Sequence, residues 1–155
     1  MIKVIDIVAY LLVPLFIFMG GCESQSGNRL VGNWVFDADL QIKKQLPLLQ
    51  EKGRIDTEEK KQKYITEVRQ VALFRPAKLT ITKDHLIMQA PDKKEVKMQY
   101  RVTEHKNKET MAWVEESTDP PKYETYKFEF YGDKMCMTRW RKGDYHEPAC
   151  FRRMK

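Results

Sequence analysis

The side chains that most often carry out catalysis are scattered along this chain. Its three histidines, His85, His105 and His146, lie far apart in the sequence. No serine stands in a nucleophile-elbow pattern, and no glycine-rich phosphate loop occurs. No group of His, Cys or acidic residues has the spacing of a metal site. We therefore expect no catalytic residues, no metal and no cofactor, and we predict that the protein is not an enzyme.

Two cysteines near the C-terminus are placed to form a disulfide. The residues around 142–144 predict a hairpin in which Arg141 lies opposite Tyr145. The same register places Cys136 opposite Cys150, within the reach of a disulfide after a small adjustment. The loop that this bond closes is short, so we expect a stabilisation of about 3 kcal/mol. No Cys-x-x-Cys spacing occurs, which favours a structural bond over a redox one.

The same register predicts a second pair, between Arg139 and Glu147. Both residues would share a strand face with Met135 and Met137. If that face points inward, the two charges form an internal ion pair on an apolar wall.

The N-terminus has the organisation of an export signal. A short positive start at Met1-Ile2-Lys3 precedes an apolar block over 7–19. The block is shorter than the ~18–20 residues of a membrane-spanning helix, and Pro14 interrupts it. It therefore fits the apolar core of a secretory signal peptide.

The end of this block, Met19-Gly20-Gly21-Cys22, resembles a bacterial lipobox. The resemblance implies cleavage after Gly21 and lipid attachment, including palmitate, at Cys22. Glu23 stands where Gram-negative lipoproteins that stay in the inner membrane have Asp, which favours the periplasmic side of the outer membrane. The predicted organisation is a signal peptide over 1–21, a flexible tether over 22–29 and a folded domain over 30–155. The alternative is an uncleaved anchor in which Cys22 is incidental.

The third cysteine and the net charge fit this location. If Cys22 carries lipid, Cys136 and Cys150 remain to pair in an oxidising compartment. The formal net charge of +6 would suggest nucleic acid as the partner of a cytosolic protein. An exported lipoprotein meets anionic head groups instead, so we predict a membrane partner through the lipid and no nucleic acid. The oligomeric state remains open.

The periodicity of the apolar residues predicts a mostly β protein. A first strand over 30–37 is followed by helical spacing over 40–50, where Pro47 either kinks one helix or starts a second. A further helix over 56–74 has the form of a capping box at Asp56 and Glu59. About seven strands of period two follow. Short links favour a meander, and a meander of this length leaves open edges unless its ends pair. We predict an antiparallel up-and-down barrel of about eight strands with a helical pair inserted after the first strand.

The first strand, Leu30-Val31-Gly32-Asn33-Trp34, resembles the opening strand of the calycin barrels, which include lipocalins and fatty-acid-binding proteins. The resemblance implies that Gly32 permits a close approach of the backbone and that Trp34 plugs one end of the barrel. It also implies an arginine packed on Trp34, either Arg152 or Arg153. The strand–helix–helix–strand opening resembles fatty-acid-binding proteins, where an arginine on a late strand holds a carboxylate. Arg139 and Arg152 are the candidates for that role.

Methionine and aromatic residues on one face of the strands are suited to an interior that accepts acyl chains. The leading hypothesis is a lipid-anchored binding module for a hydrophobic or lipid-like small molecule. The alternative is an envelope accessory or protein-interaction lipoprotein whose barrel is filled by its own side chains. The predicted ligand-binding residues are Trp34, Met98, Tyr100, Met111, Trp113, Phe128, Phe130 and Arg139.

Overall fold

Alternating apolar residues after Ala77 give a run of consecutive antiparallel strands. The structure, a computed structural model, describes residues 27–116, 118–141 and 144–155. The predicted signal peptide, its cleavage position and Cys22 lie outside these residues. The strands are β1 (Gly32–Phe36), β2 (Lys78–Ile81), β3 (His85–Gln89), β4 (Val96–Lys106), β5 (Glu109–Glu116), β6 (Lys122–Tyr131), β7 (Lys134–Arg141), β8 (Asp144–Tyr145) and β9 (Ala149–Arg153).

The strands close into a barrel of eight. Sequential neighbours pair antiparallel from β1 to β7, β7 pairs with β9, and β9 returns to β1. The two-residue strand β8 extends the sheet at the end of β7 and stands outside the ring. An edge strand presents a row of unpaired backbone N–H and C=O groups. Pairing of the first strand with the last leaves the ring without such an edge. The predicted fold class is confirmed.

The helical segments are α1 (Gly27–Leu30), α2 (Ala38–Glu51) and α3 (Glu58–Phe74). The predicted helical pair, α2 and α3, follows β1 as expected. The Asp37 carboxylate caps α2 by accepting the Leu40 N–H at 2.8 Å. Pro47 lies inside α2, so this stretch is a single helix. The first described residues form α1, so residues 27–29 of the predicted tether are helical.

The cap of α3 differs from the prediction by one residue. Thr57 Oγ1 accepts the Lys60 N–H at 3.3 Å, and Thr57 has the extended backbone of an N-cap. Asp56 instead forms an ion pair with Lys60 at 2.6 Å. A hydroxyl and a carboxylate are both good N-caps. Asp56 and Thr57 are therefore both suitable N-cap residues for α3.

The helix α2 lies against the outer side of the last strands. Gln41 joins the two elements, because its side-chain oxygen accepts the Cys150 N–H at 2.8 Å and its nitrogen donates to the Pro148 carbonyl at 2.7 Å. Leu40 packs on the disulfide. The sulfurs of Cys136 and Cys150 are bonded, and the two residues are direct register partners, as predicted. Helix α3 in turn contacts α2 through a hydrogen bond from Tyr64 to Gln45.

The terminal hairpin departs from its predicted register near the turn. Tyr145 was expected opposite Arg141 but pairs with Trp140. Farther from the turn, Met137 pairs with Ala149, as the predicted register requires. Three residues, 146–148, therefore stand opposite two on β7, as in a β-bulge. Pro148 has no N–H for the ladder. The predicted opposition of Arg139 and Glu147 is wrong for this reason.

Large apolar side chains fill the inside of the barrel. The members of this interior cluster are each at most 6% exposed, and they come from α1 and from every ring strand except β4. Side chains from β4 pack against the cluster in partly buried positions. The interior cluster is Leu30, Trp34, Leu79, Ile81, Leu86, Ala112, Val114, Phe128, Phe130, Met135, Met137 and Phe151.

Candidate functional site

One end of the barrel is closed around Trp34. The Trp34 indole N–H donates to the Leu30 carbonyl at 3.0 Å, and the guanidinium of Arg153 lies 4.5 Å from the ring centroid. Arg153 also donates to the carbonyls of Val31 and Arg29 at 3.1 and 2.6 Å. The predicted arginine on Trp34 is therefore confirmed as Arg153. This end of the barrel is held by a cation–π contact and backbone hydrogen bonds.

Most residues that we predicted to line the interior do point inward. Trp34, Phe128 and Phe130 belong to the interior cluster, while Met98 and Tyr100 pack against it in partly buried positions. Burial raises the pKa of the Tyr100 phenol, and the nearby Asp84 carboxylate raises it further. The Tyr100 hydroxyl donates a hydrogen bond to the Thr82 carbonyl at 2.8 Å, so its proton is already used in a bond within the protein.

Met111 and Trp113 do not line the interior, which corrects the prediction. The inward residues of β5 are the alternate ones, Thr110, Ala112 and Val114, all fully buried. Thr110 lies directly opposite Phe128 on β6. Since Phe128 and its neighbours already fill the space, only small side chains fit on the inner face of β5. The larger residues of β5 are therefore the outward ones.

Arg139 lies at the opposite end of the barrel and is already neutralised. Its guanidinium contacts Glu116 at 2.9 Å and Glu124 at 2.7 Å, and all three residues are less than a third exposed. Its Nε atom is buried without a hydrogen-bond partner. Two carboxylates around one guanidinium leave a net negative cluster, which disfavours the approach of a ligand carboxylate.

The second arginine considered for a carboxylate, Arg152, is also in the wrong place for that role. It is exposed and pairs with Val35 and Lys134, whereas its neighbour Phe151 points into the interior. Strand alternation therefore puts Arg152 outside the barrel. Glu147, the other member of the predicted internal pair, contacts Arg54 of the α2–α3 connection at 2.8 Å.

The outer side of β4 to β7 carries an exposed row of aromatic and charged side chains. Arg101, Trp113, Thr125 and Trp140 are register partners from one strand to the next, so they form a line across four strands. Trp113 is 53% exposed and Trp140 is 44% exposed. Tyr123 lies two residues before Thr125 on the same face of β6 and is 62% exposed, and its hydroxyl lies 3.4 Å from the Glu115 carboxylate. We call this surface the outer aromatic row.

Two concavities accompany the outer aromatic row. The larger has a volume of about 660 Å³ and lies around Trp113 and Tyr123. Its described lining is Gln99, Tyr100, Arg101, Trp113, Glu115, Tyr123 and Thr125. The smaller, of about 290 Å³, lies beside Trp140 and is lined also by Met111 and Lys127. The Lys127 ammonium sits 5.6 Å from the Trp140 ring centroid.

This outer surface was missed when only the sequence was considered. The predicted site does not include Tyr123 or Trp140, and it places Trp113 on the inner face of β5 instead of the outer one. The sequence does contain an indication of the correct face. Trp113 alternates with the small residues Ala112 and Val114, which indicates that Trp113 lies on the less crowded face of the strand. Large side chains outside and small ones inside are typical of a strand that packs against bulky neighbours.

Other site classes find no support in the described part of the chain. Among residues 27–116, 118–141 and 144–155, no three His, Cys, Asp or Glu side chains are grouped to hold a metal ion. Within the same residues, none of the helices has the length and hydrophobicity needed to span a bilayer.

No protein-family model, no curated protein and no solved structure matches this chain. The eight-stranded antiparallel barrel is consistent with a calycin-like fold.

Proposed function

We propose that this protein is a non-catalytic binding module of the bacterial envelope that recognises its partner with the outer surface of a filled, calycin-like barrel. A lipid on Cys22 anchors it to the periplasmic side of the outer membrane. The observation that carries the proposal is the filled interior: side chains from α1 and seven of the eight ring strands pack in one cluster that is almost completely buried.

The filled interior matters because an acyl chain needs a preformed apolar cavity of several hundred Å³. Leu30, Trp34 and Phe128 occupy the space where such a cavity would lie, and each is at most 1% exposed. In contrast, exposed tryptophan and tyrosine side chains favour recognition because they combine a large apolar area with a polar tip. The outer aromatic row supplies this combination.

A second candidate function is the binding of a hydrophobic small molecule at the Arg139 end of the barrel. The partly buried residues Met88, Met98 and Tyr126 pack on the edge of the interior cluster and favour it. Methionine adapts its shape to varied apolar ligands. A ligand at this site would carry an amine or a neutral polar group, because Glu116 and Glu124 surround Arg139.

Native mass spectrometry of the mature protein, extracted under mild conditions, tests the filled interior. We expect the mass of the polypeptide with its covalent lipid, and no saturable binding when hexadecanoate is added. A stoichiometric lipid that leaves on denaturation would contradict the proposal and favour the second candidate. Metabolic labelling with radioactive palmitate, compared between the wild type and Cys22→Ala, tests the anchor separately.

A further inference from the structure

We propose that the outer aromatic row binds a neutral, linear glycan whose sugar rings stack on Trp113 and Trp140. The inference rests on the proposed function only in placing recognition on the outside of the barrel. It adds the chemical class of the ligand, which is argued from the spacing, polarity and charge of this surface.

The two tryptophans are spaced for a repeating ligand. Trp113 and Trp140 lie on strands β5 and β7, and both pair with Thr125 on the strand between them. Neighbouring strands are about 4.8 Å apart, so the two residues are about 9.6 Å apart along the line of register. This distance is close to the length of one disaccharide unit in a β-1,4-linked chain. Alternate sugar rings of a single glycan chain can therefore stack on the two tryptophan side chains.

The polarity of the row also suits a sugar. A pyranose ring offers a C–H face that packs on an aromatic ring, and it carries hydroxyl groups around its rim. Beside Trp113, the larger concavity has Gln99, Arg101 and Glu115 to exchange hydrogen bonds with such hydroxyls. Thr125 lies between the two tryptophans.

The same composition disfavours a protein partner. The centre of a protein interface is a desolvated apolar patch around its main aromatic anchors. The described lining of the larger concavity contains no aliphatic side chain. The residue between the two tryptophans is a threonine, so the aromatic rings are separate platforms and not parts of one apolar patch.

The charges indicate a neutral ligand. Among the described residues that line the larger concavity, the charged ones are one cation, Arg101, and one anion, Glu115. Beside Trp140, Lys127 is paired with Glu129 at 3.4 Å. A surface that binds a polyanion presents an excess of lysine and arginine. The balance of charges here fits a glycan without ionised groups, such as a chain of N-acetylhexosamines.

Titration of residues 22–155 with a β-1,4-linked N-acetylglucosamine hexamer tests the inference. The protein has three tryptophans, and Trp34 is buried, so a change in emission reports on the two exposed ones. We expect saturable binding by the wild type and about tenfold weaker binding by Trp113→Ala and by Trp140→Ala. Trp113→Tyr retains an aromatic face and should lose much less affinity.

The matched control is Phe74→Ala, which removes an aromatic side chain that is 79% exposed on α3, away from the row. This variant should bind the hexamer as the wild type does. Circular dichroism of each variant establishes that it is folded. Absence of hexamer binding by the folded wild type would overturn the inference. So would an affinity of the two alanine variants equal to that of the wild type.

Three further outcomes separate the inference from the proposed function. If hexadecanoate binds and the hexamer does not, both fail, because recognition then lies inside the barrel. If neither probe binds, the glycan inference alone fails. A purified protein partner whose binding is lost in Trp113→Ala and Trp140→Ala would also overturn the glycan inference. The proposed function would stand, because the outer surface would still be the binding site.

Discussion

Gly32 has a backbone φ of +149° that side-chain-bearing residues rarely adopt. A Cβ added there would lie 2.9 Å from Nη1 of Arg153, which is fixed on the Trp34 ring. We expect Gly32→Ala to lower the free energy of unfolding by about 1–3 kcal/mol, because it combines backbone strain with displacement of Arg153. Urea denaturation followed by tryptophan emission measures this loss.

The control for this substitution is Gly53→Ala. Gly53 also has a positive φ, +65°, but no atom lies within 4 Å of an added Cβ. It therefore carries the backbone strain without the clash. If both variants lose the same stability, Arg153 is not held at Trp34 in the way described.

Asp37 contributes a stabilising charge. Burial raises the pKa of its carboxyl, but hydrogen bonds from Lys134 and from the Leu40 N–H hold the pKa below its ordinary value of 3.8. A folded-state pKa below the unfolded one adds stability above about pH 4, and this stability is lost as the pH falls through the folded value. Asp37→Asn keeps a capping side chain and removes the charge. We expect it to cost about 1–2 kcal/mol at pH 7.

The pH dependence of unfolding checks this prediction. The difference between the wild type and Asp37→Asn should be largest at neutral pH and should shrink below pH 4. A difference that stays constant between pH 7 and pH 3 would show that the ionised carboxylate does not stabilise the fold.

At the scale of elements, Gln41 connects helix α2 to strand β9. Gln41 is 6% exposed and makes hydrogen bonds to the Cys150 N–H and the Pro148 carbonyl. We expect Gln41→Leu to cost about 1–3 kcal/mol, because the buried Cys150 N–H then lacks its acceptor. Gln50→Leu, on the exposed side of the same helix, should change stability little. Similar urea midpoints for the two variants would argue against this docking of α2.

The disulfide ties the last two ring strands together. Cys136 and Cys150 are separated by 14 residues. Closing a loop of this length restricts the unfolded chain, so replacing both with alanine should cost about 3 kcal/mol. The wild type should lose a similar amount when reductant is added, whereas the variant should not respond. A reductant effect that persists in the variant would exclude the disulfide as its cause.

At the scale of the whole molecule, the barrel was predictable and its faces were not. The period-two run from Val96 to Val102 predicts the start of β4 correctly, although the strand continues to Lys106. The need to pair both ends of the meander predicts the closed ring. Periodicity alone does not say which face of β5 is inward. Trp113 is predicted inward because methionine and aromatic side chains suit an apolar interior, but Phe128 on the neighbouring strand already fills that space.

The site at the Arg139 end was mispredicted because of one extra residue. Counting outward from the hairpin turn assumed a regular ladder, and the bulge at 146–148 removed Glu147 from its place opposite Arg139. The side chains that hold Arg139 are Glu116 and Glu124, which lie on β5 and β6, the two strands before β7. The antiparallel pairing of these three strands places all three residues at the same end of the barrel.

The most direct test of the central claim follows the three tryptophan indole N–H signals by NMR while hexadecanoate and the N-acetylglucosamine hexamer are added in turn. The barrel interior holds Trp34, and the outer surface holds Trp113 and Trp140. We expect the hexamer to shift the two outer signals and to leave the Trp34 signal in place, and we expect hexadecanoate to shift none of the three. A Trp34 signal that moves with hexadecanoate at equimolar ratio would contradict a filled barrel with recognition on its outside.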